Sequence, residues 1–140
     1  MIVIDTMILS ELARPSPDPQ ILEWLNSRIM DTLFITAVTI AEIRFGIANW
    51  PEGKRRDALE ASLSSIITLF GDRILDFDRR AAEPYAALAL AAKRAGRELK
   101  LADAFIAATA AAHGYTLATQ DKQIRAALPL TTVNPWTAGD

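Results

Sequence analysis

Four acidic residues occur where the sequence pattern changes from strand to helix or where a helix begins: Asp5, Glu42, Asp103 and Asp121. Carboxylates packed within several Å of one another repel, so such a group must take up protons or bind a cation at neutral pH. Oxygen ligands without histidine or cysteine favour Mg²⁺ or Mn²⁺ over zinc. A divalent ion held there can bind a phosphate oxygen and lower the pKa of a bound water. The four acids therefore predict hydrolysis of a phosphodiester bond.

The composition removes most competing chemistries. The 140 residues contain no cysteine, which excludes disulfides, iron–sulfur clusters, thiolate zinc sites and thiol nucleophiles. A single histidine, His113, is too few for an imidazole zinc site or a paired-histidine ribonuclease. It precedes Gly114 at a predicted helix end, where a capping role is the more ordinary one. Any catalysis has to come from carboxylates.

The overall balance of residues is that of a globular protein. Apolar residues make up 51% of the chain and the net charge is −2 at pH 7, so a polyanionic substrate must be met by metal or by a local basic rim. The start MIVIDT has no basic leader, and the apolar stretch from Leu101 to Thr119 is interrupted by Asp103 and His113. We therefore expect a cytoplasmic protein that does not span a membrane.

Short apolar runs alternate with helical patterns along the whole chain. The apolar runs, rich in β-branched residues, predict strands at 2–4, 33–36, 74–77, 115–118 and 130–133. Apolar periodicity and capping residues predict helices at about 7–13, 21–29, 39–50, 52–70, 78–96, 101–113 and 121–128. This alternation is typical of a mostly parallel sheet flanked by helices, and we predict a single three-layer α/β domain over residues 1–140.

This layout brings the acids to one edge. In parallel sheets, ligands bind beyond the carboxyl ends of the strands, where loops lead into helices. Asp5, Glu42 and Asp121 each follow a predicted strand. Asp103, in the first turn of its helix, needs only that helix to point the same way.

Each acid also has a structural explanation when taken singly. Asp5 and Asp121 suit helix caps, and Glu42 completes a capping box with Thr39. Asp103 complements a helix dipole, and each of these roles is worth about 0.5–2 kcal/mol. The sequence contexts around the acids make the joint metal-binding hypothesis the stronger one.

Several stretches of the chain match one known family. They are VIDTMILSEL at the start, TAVTIAEIRFGI around Glu42, LADAFIAATAAAHGYTLAT around Asp103, TQD at Asp121 and NPW near the end. Together they extend from end to end, and the stretch around Asp103 is the most specific. The chain resembles the PIN-domain ribonucleases, in particular the VapC-type toxins of toxin–antitoxin pairs in the FitB-like branch.

The resemblance implies a PIN-like domain with a parallel sheet and an endoribonuclease that depends on Mg²⁺ or Mn²⁺. It also implies an RNA substrate, a homodimer, and a cognate antitoxin that blocks the pocket formed by the acids, often with a basic side chain, in a higher assembly. By this resemblance, Thr119 is a hydroxyl that assists the fourth acid, and the metal-binding acids are Asp5, Glu42, Asp103 and Asp121.

Three positions depart from the family's pattern. Met7 stands where Asn is common, Gln120 where Arg is frequent, and Ile124 where a further acid often occurs. A thioether cannot donate a hydrogen bond to orient a carboxylate, so Met7 predicts weaker metal binding or slower turnover. Asp5 and Asp103 are the safest of the metal-ligand assignments.

Two other functions stay open at this point. One is a PIN-like nuclease of RNA maturation or repair, and the other is a catalytically weakened binding module, which Met7 favours. Outside the acidic set, we assign Arg44 to a salt bridge ahead of a phosphate contact. The basic stretch from Arg94 to Lys100 is assigned to a solvated face ahead of an RNA path or an antitoxin contact.

Overall fold

The structure of the protein, a computed structural model, describes residues 1–137. Over this range five short strands form one sheet: β1 (Ile2–Ile4), β2 (Leu33–Thr36), β3 (Ile74–Leu75), β4 (Thr116–Ala118) and β5 (Thr132–Val133). Their order across the sheet is β3-β2-β1-β4-β5, and all four pairings are parallel. The predicted parallel α/β sheet is confirmed, with β1 at its centre.

Helices connect the strands and cover both faces of the sheet. None of those in the described residues is both long and apolar enough to cross a lipid bilayer. In chain order the α-helices of the described residues are α1 (Thr6–Leu12), α2 (Pro19–Asn26), α3 (Ala37–Ala48), α4 (Lys54–Phe70), α5 (Arg79–Ala82), α6 (Tyr85–Arg94), α7 (Leu101–His113) and α8 (Lys122–Ala127).

Strand β1 is buried on both faces, as its run of β-branched residues requires. Successive side chains of a strand point to opposite faces, so Ile4 joins the core under α1 to α4 and Val3 joins the core under α6 to α8. Ile2 pairs with Leu33 of β2 on one side and with Thr116 of β4 on the other. The residue after β1 is therefore fixed in the middle of the carboxyl edge of the sheet.

Helix α3 begins earlier than the sequence pattern predicts. Thr36 at the end of β2 is its N-cap, and the Thr36 Oγ1 accepts a hydrogen bond from the Thr39 backbone N–H at 3.0 Å. The predicted capping box between Thr39 and Glu42 is therefore wrong, because Thr36 already satisfies that N–H. Glu42 lies in the second turn of the helix, where its carboxylate is available to other partners.

Two further predictions on element bounds are corrected. The helix predicted over 78–96 is broken into α5 and α6 at Pro84, which has no N–H to donate and whose ring obstructs the preceding turn. Strand β3 ends at Leu75 rather than at Phe77, because its partner β2 ends at Thr36, the residue that pairs with Leu75.

Candidate active site

The central strand delivers Asp5 to the carboxyl edge of the sheet. The Asp5 backbone N–H donates to the Ala118 carbonyl at 3.1 Å, which continues the β1–β4 pairing by one residue. Its carboxylate is the N-cap of α1, where Oδ1 accepts the Ile8 backbone N–H at 3.0 Å. Asp5 thus lies where the order of the strands reverses, which is the usual ligand position in an open parallel sheet.

The fully buried hydroxyl of Thr119, just after β4, connects two of the acids. Thr119 donates a hydrogen bond to the Asp5 carboxylate, and its Oγ1 accepts the Asp121 backbone N–H at 3.0 Å. Asp121 is in turn the N-cap of α8, where Oδ1 accepts the backbone N–H groups of Gln123 and Ile124 at 2.8 and 3.3 Å. The predicted assisting hydroxyl is therefore in contact with both the first and the fourth acid.

Glu42 is held by a chain of hydroxyl groups. The Thr6 hydroxyl donates to the Glu42 Oε1 at 2.6 Å, and its oxygen lies 3.2 Å from the hydroxyl of Thr39. The Thr39 hydroxyl lies 3.2 Å from that of Thr36, and both of these residues are fully buried. This chain orients one oxygen of Glu42 toward α1.

Asp103 is the third residue of α7, whose N-terminus faces the same edge. It shares one cavity of about 370 Å³ with the other three acids, so the structure brings all four predicted acids together. The wall of this cavity also includes Thr6, Met7 and Ser10 of α1 and the side chain of Lys100. We call this space the acidic cavity.

Burial and mutual repulsion are visible in the pKa values of two of the acids. Burial raises the pKa of Asp5 to about 6, and the charges of Asp103 and Asp121 add to the rise against the hydrogen bonds from Thr119 and Ile8. Burial also raises the pKa of Asp103, helped by the charges of Glu42 and Asp121 and opposed by Lys100. Ionisation of the acids is therefore opposed by their burial and their mutual repulsion, and a bound cation would offset both effects.

The donor set of the acidic cavity fits a hard divalent ion. Across residues 1–137, no three acidic or histidine side chains stand close enough together to hold one metal ion between them. Mg²⁺ does not need such a cage, because it usually binds through one or two carboxylates and keeps waters and substrate phosphate oxygens as its other ligands. An all-oxygen group of half-buried carboxylates, of which Asp5 and Asp103 have raised pKa values, meets that requirement.

The family pattern described as the PIN domain matches residues 2–127. The chain belongs to the PIN-domain family. It is 42% identical over 137 residues to VapC ribonuclease Y4jK of Sinorhizobium fredii, covering 97% of this chain and 98% of that relative. It is 41% identical over 137 residues to Toxin FitB of Neisseria gonorrhoeae, covering 97% and 99% of the two chains.

The solved structures agree with the sequence relatives of this PIN domain. The crystal structure of FitAcB from Neisseria gonorrhoeae superposes with a TM-score of 0.88 at 40% identity, covering 98% of this chain and 99% of that one. The predicted membership of the PIN-domain family, with VapC-type and FitB-like relatives, is confirmed.

The sequence alone does not place Thr6 or Lys100 in the wall of the acidic cavity of this PIN domain. Thr6 belongs to the quoted VIDT stretch, yet nothing local shows that its hydroxyl meets a glutamate 36 residues away. Lys100 is exposed, as predicted for a solvated face, but it also lines the acidic cavity, and its charge lowers the pKa of Asp103. Arg44 forms the predicted salt bridge, with Glu60 of α4 at 3.2 Å.

The position of Met7 in this PIN domain is informative because it departs from the family pattern. Its side chain is half exposed and lines the acidic cavity. The Gln120 Nε2 donates to the Met7 Sδ at 2.8 Å. The two unusual residues are therefore in contact with each other and join α1 to the loop that carries Asp121.

Proposed function

We propose that this protein is a Mg²⁺- or Mn²⁺-dependent endoribonuclease that hydrolyses RNA phosphodiester bonds at the acidic cavity and serves as the toxin of a toxin–antitoxin pair. The observation that carries the proposal is the convergence of four carboxylates on one cavity, two of them with raised pKa values. Membership of the PIN-domain family and relatives named a ribonuclease and a toxin support it.

In this proposal Asp5 and Asp103 would be the principal ligands of the ion, and Glu42 and Asp121 would reach it through bound water. When bound, the ion polarises the phosphate and lowers the pKa of a coordinated water. The chain itself contributes orientation. Thr119 fixes the Asp5 carboxylate and Thr6 fixes Glu42, as partners behind metal ligands commonly do.

The decisive experiment replaces Asp5 or Asp103 by Asn. Each change removes a negative charge and keeps the shape of the side chain, so we expect Mn²⁺-dependent cleavage of RNA to fall by about 100-fold or more. The matched control is Asp78→Asn, which alters an N-cap aspartate of α5 that does not line the acidic cavity. Full activity in both cavity variants would reject the proposal.

The antitoxin part of the proposal rests on a second groove. This groove, of about 410 Å³, lies between α1, α3 and α4 and shares Thr6, Met7, Ser10 and Glu42 with the acidic cavity. Its floor includes the apolar side chains of Ile43, Ile47 and Leu59. A peptide that fills the groove with apolar side chains can therefore extend a basic side chain into the acidic cavity, where it competes with the metal ion.

Purification with the product of the neighbouring gene tests this partner. We expect co-purification and suppression of Mn²⁺-dependent cleavage of tRNA and rRNA. Cleavage with no inhibitory neighbour would favour the nuclease of RNA maturation. Mn²⁺ binding without cleavage would favour the catalytically weakened module that Met7 suggests. The homodimer and its higher assembly with the antitoxin stay predictions, to be measured by light scattering on the same samples.

A further inference from the structure

Lys100 is the one basic side chain among the described residues that line the acidic cavity. It lies just before α7, three residues from Asp103, and its positive charge lowers the pKa of Asp103 while burial and the other acids raise it. The side chain is exposed to solvent, so its ammonium group is free to meet a ligand that enters from outside.

Lys100 is a poor residue for its own position in the backbone. It is the N-cap of α7, and its side chain makes no capping hydrogen bond to the first N–H groups of that helix. N-cap positions favour Ser, Thr, Asp and Asn, and a cation next to the positive end of a helix is unfavourable. The two other helices that begin at this edge after β1 and β4 have the aspartate caps Asp5 and Asp121. A locally unfavourable residue that faces a cavity points to a role in binding.

The substrate supplies the reason for a cation at this place. Four ionised carboxylates and one divalent ion leave two negative charges in the acidic cavity, into which a phosphate must bring another. Oppositely charged side chains at the entrance lower that barrier, and a lysine ammonium is a compact partner for a phosphate oxygen. Lys100 is placed to supply that charge.

We propose that Lys100 contacts a phosphate of the RNA substrate at the mouth of the acidic cavity and determines the affinity for RNA. This inference rests on the proposed nuclease function. A purely structural role is the competing explanation: Lys100 then only relieves the repulsion among the acids. In that case its removal changes stability and metal affinity but leaves the binding of RNA unchanged.

The test compares Lys100→Gln and Lys100→Arg with the wild-type protein in cleavage of a fluorescent single-stranded RNA in Mn²⁺. Lys93→Gln is the matched control, because Lys93 is an exposed lysine of α6 that does not line the acidic cavity. We expect Lys100→Gln to raise KM by about 3- to 10-fold with little change in kcat, and Lys100→Arg to stay near the wild-type KM.

The salt dependence of RNA binding and the thermal stability are two further measurements. A purely structural role of Lys100 would change the stability but not the salt dependence of RNA binding. The slope of log Kd for the RNA against log salt should fall by about 0.7 in Lys100→Gln, the loss of one phosphate contact to a single strand. Lys100→Asn, which supplies a helix cap, should raise Tm while it weakens RNA binding. A lower Tm in Lys100→Asn with unchanged RNA binding would establish the structural role instead.

The possible failures are distinguishable. Equal KM values and equal salt slopes for Lys100→Gln and Lys93→Gln, in a protein that cleaves RNA, would overturn this inference alone. A wild-type protein that neither binds nor cleaves the RNA in Mn²⁺ would overturn the proposed function and this inference with it.

Discussion

The two edges of the sheet treat charge in opposite ways. At the amino edge, the Arg73 guanidinium donates to the backbone carbonyls of Met30 and Leu33 at 2.6 and 2.7 Å and to that of Leu69 at 3.0 Å. It also lies over the ring of Phe70, 5.1 Å from the centroid. All of these contacts are internal to the protein, so this charge ties the end of α4 to the start of β2.

At the carboxyl edge the charges oppose one another. Four carboxylates share the acidic cavity, and burial together with the charges of neighbouring acids raises the pKa values of Asp5 and Asp103. The amino edge uses a charge to hold the chain together. The carboxyl edge keeps charges that weaken the fold until a ligand binds, and this difference identifies the carboxyl edge as the functional one.

The largest effect on stability should come from the amino edge. Replacing Arg73 by Met keeps much of the apolar stem but leaves three carbonyl groups without their donor. We expect the free energy of unfolding to fall by about 3–4 kcal/mol, because hydrogen bonds to charged groups are the stronger ones. Urea denaturation measures the change, and RNA cleavage per folded molecule should stay at the wild-type level.

The matched control for this variant is Arg44→Met, which breaks the exposed ion pair with Glu60. An exposed pair is worth at most about 1 kcal/mol, so the control should lose far less stability. Equal losses in the two variants would contradict the assignment of Arg73 as an internal anchor.

At the carboxyl edge, removal of a charge should raise the free energy of unfolding instead of lowering it. Asp5→Asn removes the buried charge and keeps an oxygen for the Ile8 N–H, so in EDTA at pH 7 it should stabilise the protein by about 2 kcal/mol. The sign follows from the raised pKa. Protonation of Asp5 favours the folded state, and this contribution is fully present below pH 3.8 and is lost as pH rises through about 6.

The stability gain of Asp5→Asn over the wild-type protein should therefore vanish below about pH 4, grow between pH 4 and 6, and stay constant above that range. Thermal unfolding across this pH series measures it. Asp78→Asn again serves as the control, and its stability difference should not follow this profile. A cavity variant that is less stable than the wild-type protein at pH 7 would break the comparison between the two edges.

The smallest expected effect concerns Met7. Met7→Asn introduces an amide donor beside the acids, in place of a thioether that accepts from Gln120. Oriented ligands bind metal better, so we expect tighter Mn²⁺ binding or faster cleavage by about 2- to 5-fold. Calorimetric titration and kcat measure the two quantities. Met7→Leu, which adds no donor, should not improve either of them, and an equal gain in both variants would exclude the hydrogen-bond explanation.

The parts of the fold that follow local rules were predictable from sequence. The run Ile2–Ile4 reads as a doubly buried strand, and Gly114 marks the end of α7 with a left-handed backbone at φ 68°. The arrival of four acids at one edge follows from parallel pairing, because parallel strands end on the same side. The resemblance to a family then gave the acids a common role.

The errors and omissions come from contacts between distant residues. Thr36 and Thr39 are both residues that commonly cap a helix. The N-cap of α3 is Thr36, where the β2–β3 pairing ends. The hydrogen bond from Thr6 to Glu42 and the approach of Lys100 to Asp103 depend on how α1, α3 and α7 are packed, which no local pattern encodes.

The pairing of Ile2 with Thr116 has a consequence for folding during synthesis of the protein. The first strand emerges from the ribosome long before its neighbour β4. Asp5 therefore has neither Thr119 nor Asp121 beside it while most of the chain is translated. In the proposed nuclease, the acidic cavity therefore cannot assemble until synthesis of the chain is almost complete.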